Sequence, residues 1–145
     1  MKVGDVFCRD ISSVSERMSL RSVIRLMLLS RTVAMPVVSR ENRYLGCIEI
    51  DDIIDACVPQ YMKSLLRTGF LPEIERFYEN LQNIQERRVA DYLPRDYPSV
   101  HPDDAINVAA DLLEKSRRQV LPVVDDTLLL GTLSRLDIVS AVLRF

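Results

Sequence analysis

The chain repeats itself. Val3-Gly4-Asp5 returns as Val89-Ala90-Asp91, Arg9-Asp10 as Arg95-Asp96, and Ser13-Val14 as Ser99-Val100. Met35-Pro36-Val37-Val38 returns as Leu121-Pro122-Val123-Val124, so one offset of 86 residues relates all four pairs. A one-residue deletion then shortens the offset to 85. Leu45-Gly46 matches Leu130-Gly131, Asp52-Ile53 matches Asp137-Ile138, and Ala56 matches Ala141. A repeat of this kind constrains the fold more than any local signal does. The 145 residues divide into a first unit at 1–57, an insert at 58–88 and a second unit at 89–145. A unit of about 55 residues buries too little apolar surface to be stable alone. The two copies are therefore expected to pack on each other about a pseudo-two-fold axis, as one compact module.

Each unit reads in the same order. In the first, Ser19 precedes Leu20, Val23, Ile24 and Met27, an N-cap followed by a helical stripe. In the second, Pro102-Asp103-Asp104 precedes Ile106, Ala109, Ala110 and Leu113, with the acids expected to cap the helix. A short apolar strand follows, through Val37-Val38 or Val120 to Val124. Arg40-Glu41-Asn42 and Asp125-Asp126-Thr127 make turns into second strands at Tyr44–Ile48 and Leu128–Leu133. Closing helices run over Asp51–Cys57 and Arg135–Leu143. With the opening stretch as an extended arm the order is β-α-β-β-α, an α/β fold.

These residues resemble a known family. Leu121-Pro122-Val123-Val124-Asp125, then Gly131-Thr132-Leu133-Ser134-Arg135-Leu136-Asp137, resemble the strand and the G-h-x-[S/T]-x-x-D signature of cystathionine-β-synthase (CBS) domains. Met35 to Val38 and Gly46 to Ala56 match more loosely. Two copies in the right order look like a tandem CBS pair, or Bateman module. The resemblance implies a regulatory module rather than an enzyme, with an adenine nucleotide (AMP, ADP or ATP) or S-adenosylmethionine bound between the repeats. It also implies pairing of modules into a disc of four CBS domains, hence a homodimer, and signalling to a partner protein. The alternative is a structural or oligomerisation module without ligand.

Carried over residue by residue, the resemblance gives Asp137 the ribose hydroxyls, for which a two-oxygen carboxylate is suited. It gives Ser134 the phosphate, at the start of a helix whose free N–H groups favour an anion. Tyr97, Ser99 and Val100, with Pro122 and Val123, would lie against adenine. Arg117 and Arg118 would reach phosphate, with Gln119 beside them. Ser134 and Asp137 also read as a helix capping box, which requires no ligand. The first unit departs from the signature, because Glu49 stands where the family has Ser or Thr. An ionised Glu only accepts hydrogen bonds and repels phosphate. Asp52 would still hold a ribose, so the first unit's cleft is expected to be empty or to take an adenosyl group.

The insert carries Pro59, Gly69 and Pro72, then Ile74, Phe77, Leu81 and Ile84 spaced 3, 4 and 3 among charged residues. This predicts an amphipathic helix of about 17 residues opened by proline and covering the module's own core. Composition narrows the function classes. Lys+Arg 19 against Asp+Glu 21 leaves no surplus cation for coating a polyanion. No apolar run approaches the ~18 residues of a membrane span, and residues 1–10 lack a secretory apolar core. Cys8, Cys47 and Cys57 are odd in number and far apart, which fits a reducing cytoplasm and no disulfide framework. His101 stands alone, so no metal site is expected. Catalysis is not expected either, with no nucleophile–base pair and no glycine-rich phosphate loop.

Overall fold

The computed structural model describes residues 1–58 and 74–144. The first repeat holds β1 (Val14–Ser15), α1 (Leu20–Ser30), β2 (Ala34–Val38), β3 (Tyr44–Glu49) and α2 (Ile50–Cys57). Helix α3 (Ile74–Ile84) follows. The second repeat holds α4 (Ile106–Ser116), β4 (Val120–Asp125), β5 (Leu128–Ser134) and α5 (Arg135–Ser140), continued by a 3-10 turn at Ala141–Leu143. Further 3-10 turns lie at Val3–Asp5 and Val89–Tyr92. β1 runs parallel to β2, and β2 pairs antiparallel with β3. In the second repeat β4 and β5 pair antiparallel, and a parallel bridge from Val100 to Val123 replaces β1. The hairpins carry bulges at matching places, between Val37 and Val38 and between Val123 and Val124.

Local chemistry sets the element ends. Ser19 caps α1, its Oγ accepting from the Ser22 N–H at 3.2 Å. Both long helices end in a left-handed arginine, Arg31 at φ 51° and Arg117 at φ 58°. The acids before α4 behave otherwise than expected. Ala105 is the N-cap and makes no side-chain bond. Asp104 instead turns back and accepts from the His101 N–H at 2.8 Å, fixing the turn ahead of the helix. Helix α3 has 11 residues; the start of the insert, with Pro59, Gly69 and Pro72, lies outside the described residues.

The cores show how the repeats depend on each other. One core joins Ala109, Leu113, Leu121, Val123 and Leu133 of the second repeat to Val3, Val6 and Phe7 of the first. The other joins Leu20, Val23, Met35, Val37 and Ile48 of the first repeat to Val89, with Tyr92 and Leu93 packed against it. Val3 and Val89 are repeat counterparts, so the two units exchange their opening segments. Leu81 and Ile84 of α3 also pack on the first repeat's core. Each large apolar side chain buried in this way contributes about 1.5–3 kcal/mol. Glycine permits the closest approach. The Cys8 N–H donates to the Thr132 carbonyl at 2.9 Å, and the Thr132 N–H returns to Cys8 at 3.0 Å. At the adjacent Gly131 a Cβ would meet the Cys8 carbonyl and the Phe7 ring.

Candidate functional site

The exchange of opening segments carries the arm of one repeat over the signature of the other, and two unlike clefts result. The first is a cavity of about 360 Å³. Its walls are Cys8, Asp10, Ile11 and Ser12 of the first arm, Ser30, Thr32, Ala34 and Pro36 around β2, and Val120, Thr132, Ser134 and Asp137. Hydroxyls and apolar groups therefore share the lining. Ser134 is the N-cap of α5, and its Oγ accepts from the Asp137 N–H at 3.2 Å. Asp137 Oδ2 accepts from the Ser134 N–H at 2.7 Å and from its hydroxyl at 2.8 Å. All these bonds fall on Oδ2, leaving Oδ1 without a partner among the described residues.

The second cleft holds the counterparts: Glu49 for Ser134, Asp52 for Asp137, Arg118 for Thr32 and Tyr97 for Ile11. It is knitted together by its own side chains. Glu49 is only 2% exposed, and its Oε1 accepts from the Tyr97 hydroxyl and the Gln119 N–H, both at 2.7 Å. The same hydroxyl lies 2.8 Å from the Val120 carbonyl. The Arg118 guanidinium reaches both Asp52 oxygens, at 3.1 and 3.2 Å, and lies 3.6 Å from Glu49. It also sits 4.4 Å from the centre of the Tyr97 ring, a cation–π distance. Burial, and then neighbouring negative charge, push the Tyr97 phenol well above its ordinary range. Burial likewise pushes the Cys47 thiol up to about 12. Desolvation pulls the Arg118 guanidinium down, and the Asp52 bond together with the Asp52 and Glu49 charges outweighs it and raises the group.

The residues singled out from the sequence are thus divided. Ser134 and Asp137 share the first cavity. Tyr97, Arg118, Gln119 and Asp52 meet in the second cleft, and Arg117 is exposed on the rim of its remaining space. Ser99 is exposed, and Val100 and Val123 are core. The Pro122 carbonyl accepts from the Val100 N–H at 3.0 Å, within the second repeat's own sheet. Ser99, Val100, Pro122 and Val123 do not line the cavity at Ser134. Asp52 does not stand open for a ribose either, because Arg118 holds both its oxygens. The missed residues were Ile11, Ser12 and Thr32. The repeat correspondence itself was the signal, since they are counterparts of Tyr97, Pro98 and Arg118. Among the described residues, no group of His, Cys, Asp and Glu is arranged to hold a metal ion. No described helix is long and apolar enough to cross a membrane.

Two α/β repeats with exchanged openings and paired clefts define a tandem-repeat module. The family model for the CBS domain matches residues 3–59 and again 89–144, and the chain belongs to that family as a tandem CBS pair. It is 32% identical to the uncharacterized protein MJ1426 of Methanocaldococcus jannaschii, covering 99% of this chain and 92% of the relative. It is 28% identical to a homoserine O-acetyltransferase of Methanohalophilus mahii over 97% of this chain, but spans only 24% of that protein. The crystal structure of CBSX2 in complex with AMP superposes with TM-score 0.74 at 21% identity, covering 99% of this chain and 96% of that one.

Proposed function

We propose that this chain is a regulatory module that binds an adenine nucleotide or adenosyl ligand in the cavity at Ser134 and Asp137. One observation carries the reading: Asp137 is pinned by its capping box through Oδ2 and keeps Oδ1 for a ligand. A carboxylate so held suits the vicinal diol of a ribose. The Ser134 hydroxyl, with Thr32 and Ser12 on the facing wall, supplies polar contacts for a phosphate; Ile11, Ala34, Pro36 and Val120 supply an apolar surface for a base. The shared fold with CBSX2, whose crystal structure contains AMP, supports the same reading. Arg117 and Arg118 are given no part in this cavity.

Binding would be reported to a partner protein through the relative placement of the repeats, whose segments wall the cavity together. A second copy of this chain is the expected associate. Leu28 and Leu29 of α1, and Leu136 and Val139 of α5, are exposed on helices of both repeats. Light scattering at micromolar concentration should give a dimer.

A specific observation favours the ligand-free alternative: the capping box satisfies Ser134 and most of Asp137 without help. Thermal denaturation with AMP, ADP, ATP and S-adenosylmethionine separates the two readings. A ligand at 100 times its Kd adds about 2.7 kcal/mol, or roughly 5–10 °C for a chain of this size. A shift with none of the four would leave the structural module.

A further inference from the structure

We propose that Glu49 and Arg118 occupy the polar groups of the second cleft in place of a ligand and clasp the two repeats together there. The repeat correspondence frames the argument. In the open cavity the two facing positions are Ser134 and Thr32, small and neutral. In the second cleft the same positions are Glu49 and Arg118, one acid and one base of nearly cancelling charge. A lone buried charge at either position would be costly; here the two lie 3.6 Å apart, Glu49 bonded by Tyr97 and Gln119 and Arg118 by Asp52.

Each group an incoming nucleotide would need is already used. Asp52, the counterpart of Asp137, has both oxygens on the Arg118 guanidinium. The Gln119 N–H, a backbone donor on the cleft wall, is taken by the Glu49 carboxylate at 2.7 Å. The buried Glu49 carboxylate is thus an internal anion among the donors Tyr97, Gln119 and Arg118. The space left beside the clasp, about 410 Å³, is bordered by the acids Asp51 and Asp96 and the bases Lys115 and Arg117, so beyond the clasp its charges balance and offer a phosphate no net attraction.

The bonds also cross between repeats. Glu49 and Asp52 belong to the first, while Tyr97, Arg118 and Gln119 belong to the second. The Ser134–Asp137 cluster, by contrast, bonds within one repeat. The module therefore has one side clasped by its own charges and one side without such a clasp. Motion of the repeats relative to each other would pivot on the clasped side.

The test is a double-mutant cycle on the full chain without ligand: Glu49→Ser, Arg118→Thr and the two combined. Glu49→Ser takes the acceptor from the Tyr97 hydroxyl and the Gln119 N–H, Arg118→Thr leaves Glu49 and Asp52 without a counter-ion, and each should lower the urea midpoint. The combined variant should fall clearly short of the sum of the two losses. Midpoints that add would overturn the clasp. If Glu49→Ser does not fold, Glu49→Gln takes its place in the cycle, because its amide oxygen keeps the Gln119 bond. A second arm rests on the nucleotide reading and counts AMP per chain by native mass spectrometry. One AMP on the unaltered chain and two on the combined variant support the clasp. Two on the unaltered chain overturn it. Non-additive midpoints with no AMP on either protein uphold the clasp and refute the nucleotide reading alone.

Discussion

Gly46 and Gly131 are repeat counterparts, and replacing each by alanine should give opposite results. Neither has a left-handed backbone, so alanine fits the local conformation at both and gains about 0.4–1 kcal/mol through the unfolded state. At Gly46 the new methyl meets only the Leu93 side chain, at 3.4 and 3.5 Å, which is ordinary contact. Gly46→Ala should be neutral or stabilising by up to about 1 kcal/mol. At Gly131 the methyl would strike the Cys8 carbonyl and lie 2.7 Å from two Phe7 ring carbons. Overpacking of this kind costs about 1–3 kcal/mol. The arm is held to Thr132 by two backbone bonds, each worth about 0.5–1.5 kcal/mol if it lifts away. Whichever way the clash is relieved, subtracting the alanine gain leaves a net loss of up to about 2.6 kcal/mol, or roughly 10 °C in Tm at most. The assay is urea denaturation of both variants with the slope checked for constancy. Because Asp10, Ile11 and Ser12 follow Cys8 into the cavity wall, Gly131→Ala should also weaken any nucleotide shift. Equal stability of the two variants would refute the close approach of the arm to β5.

Further outcomes follow from the same geometry. Asp137→Asn should abolish the thermal shift given by a nucleotide; the measurement is the same ligand panel, and an undiminished shift would remove Asp137 from the site. Phe7→Ala should cost about 3–5 kcal/mol by urea titration, a large loss for a residue so near the N-terminus, because its ring completes the second repeat's core. Cys47 ties stability to alkaline pH. Its thiol, normally at 9.0, is pushed up to about 12 in the fold, so the unfolded chain ionises first. The stability is present below pH 9 and is lost as pH rises between the two values. By pH 10 the loss from this group is about 1.4 kcal/mol, and Cys47→Ala should lose that much less between pH 8 and pH 10. Arg31→Gly should be neutral or raise the unfolding free energy by up to about 1 kcal/mol in urea denaturation, since a left-handed arginine is strained where glycine is not.

Much of the fold was legible because its signals are local or periodic. Leu20, Val23 and Met27 are buried on one face of α1, and Ser19 caps it, as their spacing implies. The matched turns at Asn42 and Asp126 share a positive φ, 61° and 56°. What was not legible is which repeat each segment serves. Tyr97 lies in the second repeat by sequence, yet its hydroxyl bonds Glu49 of the first. Thr32 belongs to the first repeat, yet it lines one cavity with Ser134. Nothing in the neighbours of these residues marks such an exchange, because pairing across a pseudo-two-fold axis is a property of the assembled pair. The cap on α4 failed for a smaller reason. Asp104 had two uses at hand, and the backbone of His101 was the better placed donor.

The exchange at Val3–Phe7 and Val89–Leu93 has a bearing on descent. A lone ancestral repeat would have carried one such opening segment and had no second repeat to receive it. Two copies could trade segments and so finish one another's interiors, as swapped dimers do. Fusion into one chain would preserve that trade and make it permanent. Thereafter the two halves were free to grow unlike. Glu49 now stands in one half where Ser134 stands in the other, and Arg118 lies beside it where Thr32 shares the cavity of Ser134. The present chain can thus be read as a dimer whose partners have ceased to be interchangeable.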